Sequence, residues 1–275
     1  MLNSYTICTY GVNPIGLDQN KSITNYRLIS GSDYLTDEQR NECKEKKYIL
    51  DNTGDNISHL NYYFAELTSI YWIWKNCKEE FVYSRQYRRK LDINSLISKS
   101  LNIDENTFYT SPYIPINPRF RTMKEQVGII HGHFNYYNYL HEIALDSKIK
   151  LTSEMIDETF VNDRSVSIVL SLAHKDVYNK YMEVLFEIIF EIWDRYGDYC
   201  IEICNNPSLD PDKSRRVYDK RYMSYIAERI QPILYKNWEY FFGKKLKVTQ
   251  LKQCDYNVDI NSIKTNYEKI LNKII

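Results

Sequence analysis

The chain has 275 residues, 43% of them hydrophobic, which is enough apolar side chain for a sizeable core and excludes general disorder. Lysine plus arginine equals aspartate plus glutamate at 36 each, so no basic surplus marks a protein that lives on nucleic acid. Six cysteines lack the paired spacing of a zinc site, and a CxxxC at Cys200 and Cys204 stands alone.

In chain order, residues 5–10 (YTICTY) read as a buried strand ended by Gly11 and the turn-prone residues 13–16. The opening residues show neither a basic n-region nor an apolar h-region, so a cytoplasmic chain with reduced thiols is expected. A polar segment at 36–47 precedes a short apolar run, 48–50, and the acceptor-rich loop Asp51-Asn52-Thr53-Gly54-Asp55-Asn56. Asn61 is placed to cap a helix in which Phe64, Leu67, Ile70, Tyr71 and Trp74 recur at spacings of three and four. A strand at 80–84 runs directly into Arg85-Gln86-Tyr87-Arg88-Arg89-Lys90.

Signals are weak from 92 to 121, where Pro112, Pro115 and Pro118 predict an irregular loop. A helix is expected over 123–146 and a strand over 166–172. The clearest helix is 175–196, ended by Gly197, and a loop is expected over 204–213. A helix over about 218–241, broken near Pro232, then a strand at 246–251 and a polar C-terminal helix complete the pattern. Strands near the beginning, middle and end with helices between them predict an α/β fold, one domain without a linker. The longest apolar stretch, 184–193, is too short to span a bilayer and carries Glu187 and Glu191; peripheral membrane association stays open.

Four groups of residues carry candidate chemistry. The strand–loop–helix at 48–76 offers Asp51, Asp55 and Asn56 to the hydroxyls of a ribose or sugar, against the plainer reading of an ordinary capped loop. Arg88 and Arg89 at a strand end are suited to a diphosphate, against a solvated basic turn too short and too balanced for nucleic acid. His131 and His133 cannot both face one metal from a helix, so a structural or acceptor-side role is expected. The DxD form of Asp210-Pro211-Asp212 lacks a preceding apolar strand and reads as chance. Glu228 beside Arg229 is either a general base or a salt-bridged core carboxylate, with Arg229 expected to keep it ionised. The 26 Tyr, 10 Phe and 4 Trp suit a carbohydrate site only where they cluster; the bulk excess reads as compositional drift.

DNTGDNIS at 51–58, Asn61, AELTSIYWIWKN at 65–76 and Tyr87-Arg88-Arg89 together resemble a family of capsular and exopolysaccharide biosynthesis proteins. Its pattern is D-x-t-G-d-N-I-S-x-x-N, then C-E-L-T-x-x-Y-W-x-W-K-N, then H-Y-R-R-Y-F, and the likeness continues at 176–192 and 226–230. Three departures stand out: Gln86 replaces the histidine of H-Y-R-R, Lys90-Leu91 replace its aromatic pair, and SIVLSL at 167–172 replaces a segment like N-M-F-I.

Members are similar to GT-A glycosyltransferases, some assigned as inverting galactofuranosyltransferases. The resemblance implies a GT-A-like, Rossmann-related domain with a central mixed sheet flanked by helices. A nucleotide-sugar half would cover about 1–125 and a helical acceptor half about 126–275. It implies transfer of a sugar, galactofuranose or another hexose, from a UDP-sugar to a glycan or glycolipid in surface polysaccharide synthesis. Because Arg88 and Arg89 stand at the strand end where GT-A enzymes commonly carry a metal-binding DxD, they are expected to replace a divalent metal. Tyr10, Asp51, Asp55, Asn56 and Tyr87 would hold the donor, Arg88 and Arg89 the diphosphate. Tyr71, Trp72, Trp74 and His131 would shape the sugar pocket, and Glu66 or Glu228 would take the acceptor proton. Rival readings are a viral or phage enzyme that glycosylates a nucleobase or another non-capsular acceptor, which a basic groove would favour, and a catalytically silent carbohydrate-binding or scaffold protein, to which the loss of the histidine at Gln86 points.

Overall fold

The computed structural model describes residues 2–12, 22–97, 103–131, 134–145, 148–167, 169–206 and 221–255. The expected turn at 13–16, His133, the DxD at 210–212 and the expected C-terminal helix lie outside these residues.

The first half opens with β1 (Leu2–Cys8), β2 (Ile23–Ile29), α1 (Asp37–Glu45) and β3 (Ile49–Leu50). It continues with α2 (Asn61–Phe64), α3 (Leu67–Asn76), β4 (Phe81–Gln86) and β5 (Arg89–Leu91). Then come α4 (Asn94–Ile97), β6 (Thr107–Thr110), β7 (Ile114–Pro115), α5 (Met123–Ile130), α6 (Tyr136–Ala144) and α7 (Ser153–Phe160). The chain closes with β8 (Arg164–Ser165), β9 (Ser171–His174), α8 (Lys175–Asn205), α9 (Tyr222–Lys236), α10 (Trp238–Phe242), β10 (Lys247–Gln250) and β11 (Gln253–Asp255).

The central sheet runs β10-β6-β9-β4-β1-β2-β3. Strands β3, β2, β1 and β4 are parallel neighbours, with Tyr5 opposite Tyr26 on one side and Ser84 on the other. Strand β9 is antiparallel to both β4 and β6, and a β4–β5 hairpin carries β11 at its outer side. This is the expected α/β architecture, a mostly parallel mixed sheet flanked by helices. Alternation sorts the strand side chains: Tyr5, Ile7, Val82 and Phe108 face a large core under α3, α8 and α9. Leu2, Tyr83 and Tyr109 face a smaller one on the opposite side.

Several expected boundaries shift for identifiable reasons. Helix α8 runs through Gly197 rather than stopping there, because that position packs against the Trp193 ring, where a Cβ would sit 3.0 Å from ring carbon. Residues 123–146 form two helices with the break after His131. Of the expected strand at 166–172, only Ser171 and Leu172 are strand, at the start of β9, and β8 ends just before it.

Pro232 leaves α9 continuous. Its missing N–H would have bonded the carbonyl of Glu228, and the Ser165 hydroxyl donates to that carbonyl instead at 2.9 Å.

Candidate functional site

Because β1, β2 and β4 are parallel, their carboxyl ends share one edge of the sheet, the place where open α/β folds gather ligands. Ile7 and Cys8 at the end of β1, Thr9 after it, Ser30 after β2 and Tyr87 after β4 meet there with Asn61 of α2 and with Ala65 and Glu66 just before α3. Arg221, just before α9, closes the ring around a narrow recess of about 30 Å³.

The corner between α2 and α3 sets Glu66. Ala65 adopts φ 47° and ψ −127°, a left-handed conformation that a side chain resists. It is held by its own carbonyl, which accepts from Asn61 Nδ2 at 2.8 Å and Ser30 Oγ at 3.3 Å, with Thr68 Oγ1 3.1 Å away. Asn61 therefore serves this corner through its side chain and does not cap α2.

Glu66 faces Gln86, whose Nε2 donates to Glu66 Oε1 at 2.9 Å, while Gln86 Oε1 accepts from Arg88 Nε at 3.3 Å. Arg221 Nη1 lies 3.9 Å from Glu66 Oε2. Burial alone would raise the Glu66 carboxyl, but Arg221, its own backbone N–H, Gln86 and Arg88 together hold it below the usual carboxylate range.

Glu228 lies on the α9 face that carries Arg221 two turns earlier, near enough to Glu66 for the two charges to oppose each other. Burial pushes its carboxyl up; Arg229 opposes this, and the negative charge of Glu66 adds to the rise. Arg229 lowers the Glu228 carboxyl, the effect expected of it, while burial and Glu66 raise it on balance. Arg229, 5% exposed, is also an anchor, donating to Glu228 Oε2 and Ser165 Oγ at 3.2 Å and to Gln126 Oε1 at 2.7 Å. Between Arg221 and Glu228 stands Tyr225, stacked on His131 at 4.6 Å.

The remaining expected site residues fall elsewhere. Asp51 is fully buried, and its carboxylate accepts from the N–H groups of Gly31 and Ser32 and the hydroxyls of Ser58, Thr68 and Ser69. That set of donors occupies the carboxylate from within, so Asp51 ties β3 to α3 rather than facing a sugar. Asp55 is carried to the far end of α3: its N–H bonds Asn76 Oδ1 and its carboxylate accepts from Tyr71. Ten residues of helical rise separate Asn76 from Glu66, about 15 Å. Asp55 and Asn56 therefore do not share the recess with Arg88.

Trp72 Nε1 donates to the Thr53 carbonyl, Trp74 stacks on Phe186 at 5.4 Å, and Tyr71 meets Phe186 and Phe190 edge-on. These three rings pin the 51–56 loop and pack α3 on α8, away from the recess. Tyr10 turns to α1, where its hydroxyl donates to Glu42. Arg89, opposite Gln86 in the hairpin, shares its sheet face. His131 is 5% exposed and bonds Tyr136, so it braces Tyr225 from behind.

Sequence reasoning missed Arg221, Tyr225 and the bridging role of Gln86. No local signal marked the first two, which reach the recess only through the packing of α9 on α2. Among the described residues no three His, Cys, Asp or Glu side chains converge as a metal site, and no helix is long and apolar enough to cross a membrane. All six cysteines are free thiols.

Residues 35–238 match the protein family described as a domain of unknown function, DUF4422. No curated protein matches the chain. Its fold is similar to the apo structure of WbbM, a bifunctional glycosyltransferase, at 18% sequence identity and a TM-score of 0.62. The match covers 94% of this chain and 45% of that one, so the chain spans less than half the length of the protein it resembles. At that identity the likeness is one of fold.

Proposed function

The chain belongs to the DUF4422 family, and we propose that it is a GT-A-like glycosyltransferase that moves a sugar from a nucleotide donor to a glycan hydroxyl with inversion. The observation that carries this reading is the strand-end recess in which Glu66 accepts from Gln86 at 2.9 Å, Arg221 lies 3.9 Å from it and Arg88 bonds Gln86. Nearby Glu228 differs from Glu66 in the direction its surroundings push the carboxyl. Such divergence is how a site assigns separate roles to like groups.

In this reading Glu228, with its raised pKa, is the general base that accepts the acceptor hydroxyl's proton as the oxygen attacks the anomeric carbon. A base works best when its pKa approaches the working pH. Glu66 stays ionised and organises Gln86, Arg88 and Arg221. Arg88 and Arg221, with Arg89 beside them, supply the counter-charge to the departing nucleoside diphosphate, where guanidinium forks suit phosphate oxygens. The recess is too small to enclose a nucleotide sugar, so the donor lies across its mouth with the diphosphate toward the arginines. A UDP-sugar donor, surface-polysaccharide acceptors and a cytoplasmic location belong to the same reading. The described residues offer no fit for a metal ion, and no step here passes through one.

A thermal-shift screen against UDP-, GDP-, CMP- and dTDP-sugars tests the donor assignment. One nucleotide class is expected to stabilise the chain, and Arg88→Ala and Arg221→Ala to weaken the shift. Glu228→Gln is expected to keep the shift and lose transfer. No shift with any nucleotide sugar would remove the enzymatic reading.

A further inference from the structure

Beyond Glu228, α9 forms one wall of a second, larger cavity of about 360 Å³. We propose that this cavity is the acceptor subsite and takes an uncharged hexose unit of the glycan; the proposal rests on the glycosyltransferase reading above.

Position is the first reason. Pro232 lines the cavity one helical turn after Glu228, roughly 6 Å along the axis, the scale of one sugar ring. Arg164 of β8 lines it too, and the next residue, Ser165, donates to the Glu228 carbonyl left open by Pro232 and accepts from Arg229. The cavity wall and the backbone beneath the base are therefore one hydrogen-bonded piece, and a ring held against Pro232 lies about one helical turn from Glu228.

Chemistry is the second. Tyr113, Met123 and Pro232 give an apolar surface for the CH face of a ring. Thr159 and Asn162 add polar groups. Thr159 is only 2% exposed, yet its hydroxyl has no hydrogen-bond partner among the described residues. A buried hydroxyl without a partner is uncommon and asks for a ligand or a water.

Charge selects the class. The two cations at the cavity are already answered by carboxylates: Lys236 Nζ lies 2.7 Å from Glu158, and Arg164 Nε lies 3.9 Å from Asp163. No net positive charge remains for a phosphate or a uronate, whereas hydroxyls can share these polar pairs. An uncharged polyol fits and an anion does not.

The test is saturation-transfer NMR on the whole chain. Lactose and maltose serve as neutral probes, digalacturonic acid as the charged one, and UDP, GDP, CMP and dTDP as donor probes. At least one neutral disaccharide is expected to receive saturation. Tyr113→Ala should abolish that signal, and Thr159→Val should weaken the affinity about fivefold, the size of one lost hydrogen bond, with thermal stability unchanged or raised. Nucleotide signals should persist in both variants.

Silence of both neutral sugars, survival of their signal in both variants, or preference for digalacturonic acid would overturn the subsite while nucleotide binding kept the donor reading intact. Silence of every nucleotide in the wild type would overturn the donor reading and the acceptor role together.

Discussion

Ala65 sits at φ 47°, ψ −127° beside Glu66, its carbonyl fixed by the side chains of Asn61 and Ser30. A non-glycine residue there costs about 1–3 kcal/mol. Glycine removes that cost and returns part of it through a freer unfolded chain. Ala65→Gly is therefore expected to stabilise the protein by about 1 kcal/mol in urea unfolding; a lower midpoint would mean the corner is unstrained.

Gly31 gives the opposite result. It has φ 71°, and an added Cβ would lie 2.5 Å from Asn61 Oδ1, so Gly31→Ala must displace the side chain that holds Ala65.

The two glutamates carry opposite pH signatures. Burial raises the folded-state pKa of Glu228, so this carboxyl contributes stability below its unfolded pKa and loses it as pH rises through the folded value. Glu228→Gln mimics the protonated form. Its melting temperature relative to the wild type is expected to climb as pH rises from the ordinary carboxylate range, about pH 4, through the raised folded-state value, while transfer falls at least a hundredfold. Glu66 has a lowered folded pKa, so its contribution is present above the unfolded pKa and fades as pH falls through the folded one. Glu66→Gln should thus be worst near neutrality and harmless in acid. A flat difference for both variants across this range would refute the divergence.

At the scale of elements, Asp51 decides how the loop at 51–58 is understood. Five donors converge on its buried carboxylate. Asp51→Asn would present an amide N–H₂ to some of them, at about 2–4 kcal/mol. Asp55→Ala, on the exposed arm of the loop, should shift stability by no more than about 0.5 kcal/mol. Equal stability for the two variants, with donor binding lost in Asp51→Asn alone, would restore Asp51 as a donor ligand.

The sequence showed that this loop follows a strand and precedes a helix. It did not show that the loop's polar groups fold inward, because Asp, Asn and Thr supply identical atoms to a ligand and to a backbone. The same ambiguity hid the role of Tyr71, Trp72 and Trp74, whose helical spacing suits both a sugar platform and the seam with α8. The Phe186 and Phe190 rings pack Tyr71 and Trp74 along that seam, and the Trp72 indole bonds the Thr53 carbonyl instead. Helix α1 was legible in principle: Thr36 and Gln39 form a reciprocal capping box.

For the whole molecule, alternating strands and helices sufficed to predict the α/β class, because periodicity reports which faces are buried. Sheet order was beyond that signal. Strands β9 and β10, from the later half of the chain, enter the same sheet as β1 and β4, and only long-range packing places them there. The recess is likewise a product of topology, assembled from β1, β2, β4, α3 and the approach to α9.

That assembly makes the electrostatics of the recess a prediction about metal. Arg88 reaches Glu66 through Gln86, and Arg221 lies 3.9 Å from it. With Arg89 beside them, three guanidiniums meet the two carboxylates Glu66 and Glu228, leaving a net positive charge of about one where a diphosphate would depart. Guanidiniums held by hydrogen bonds need no reorganisation as charge builds on the leaving oxygen, which is the condition for strong transition-state stabilisation. Turnover of the active nucleotide sugar is therefore expected to persist in EDTA. It should fall about a hundredfold or more in Arg88→Ala or Arg221→Ala, and Asp210→Asn with Asp212→Asn should leave it unchanged. Loss of activity in EDTA, restored by manganese and abolished in the double aspartate variant, would transfer the counter-charge from the arginines to a metal held by the 210–212 segment.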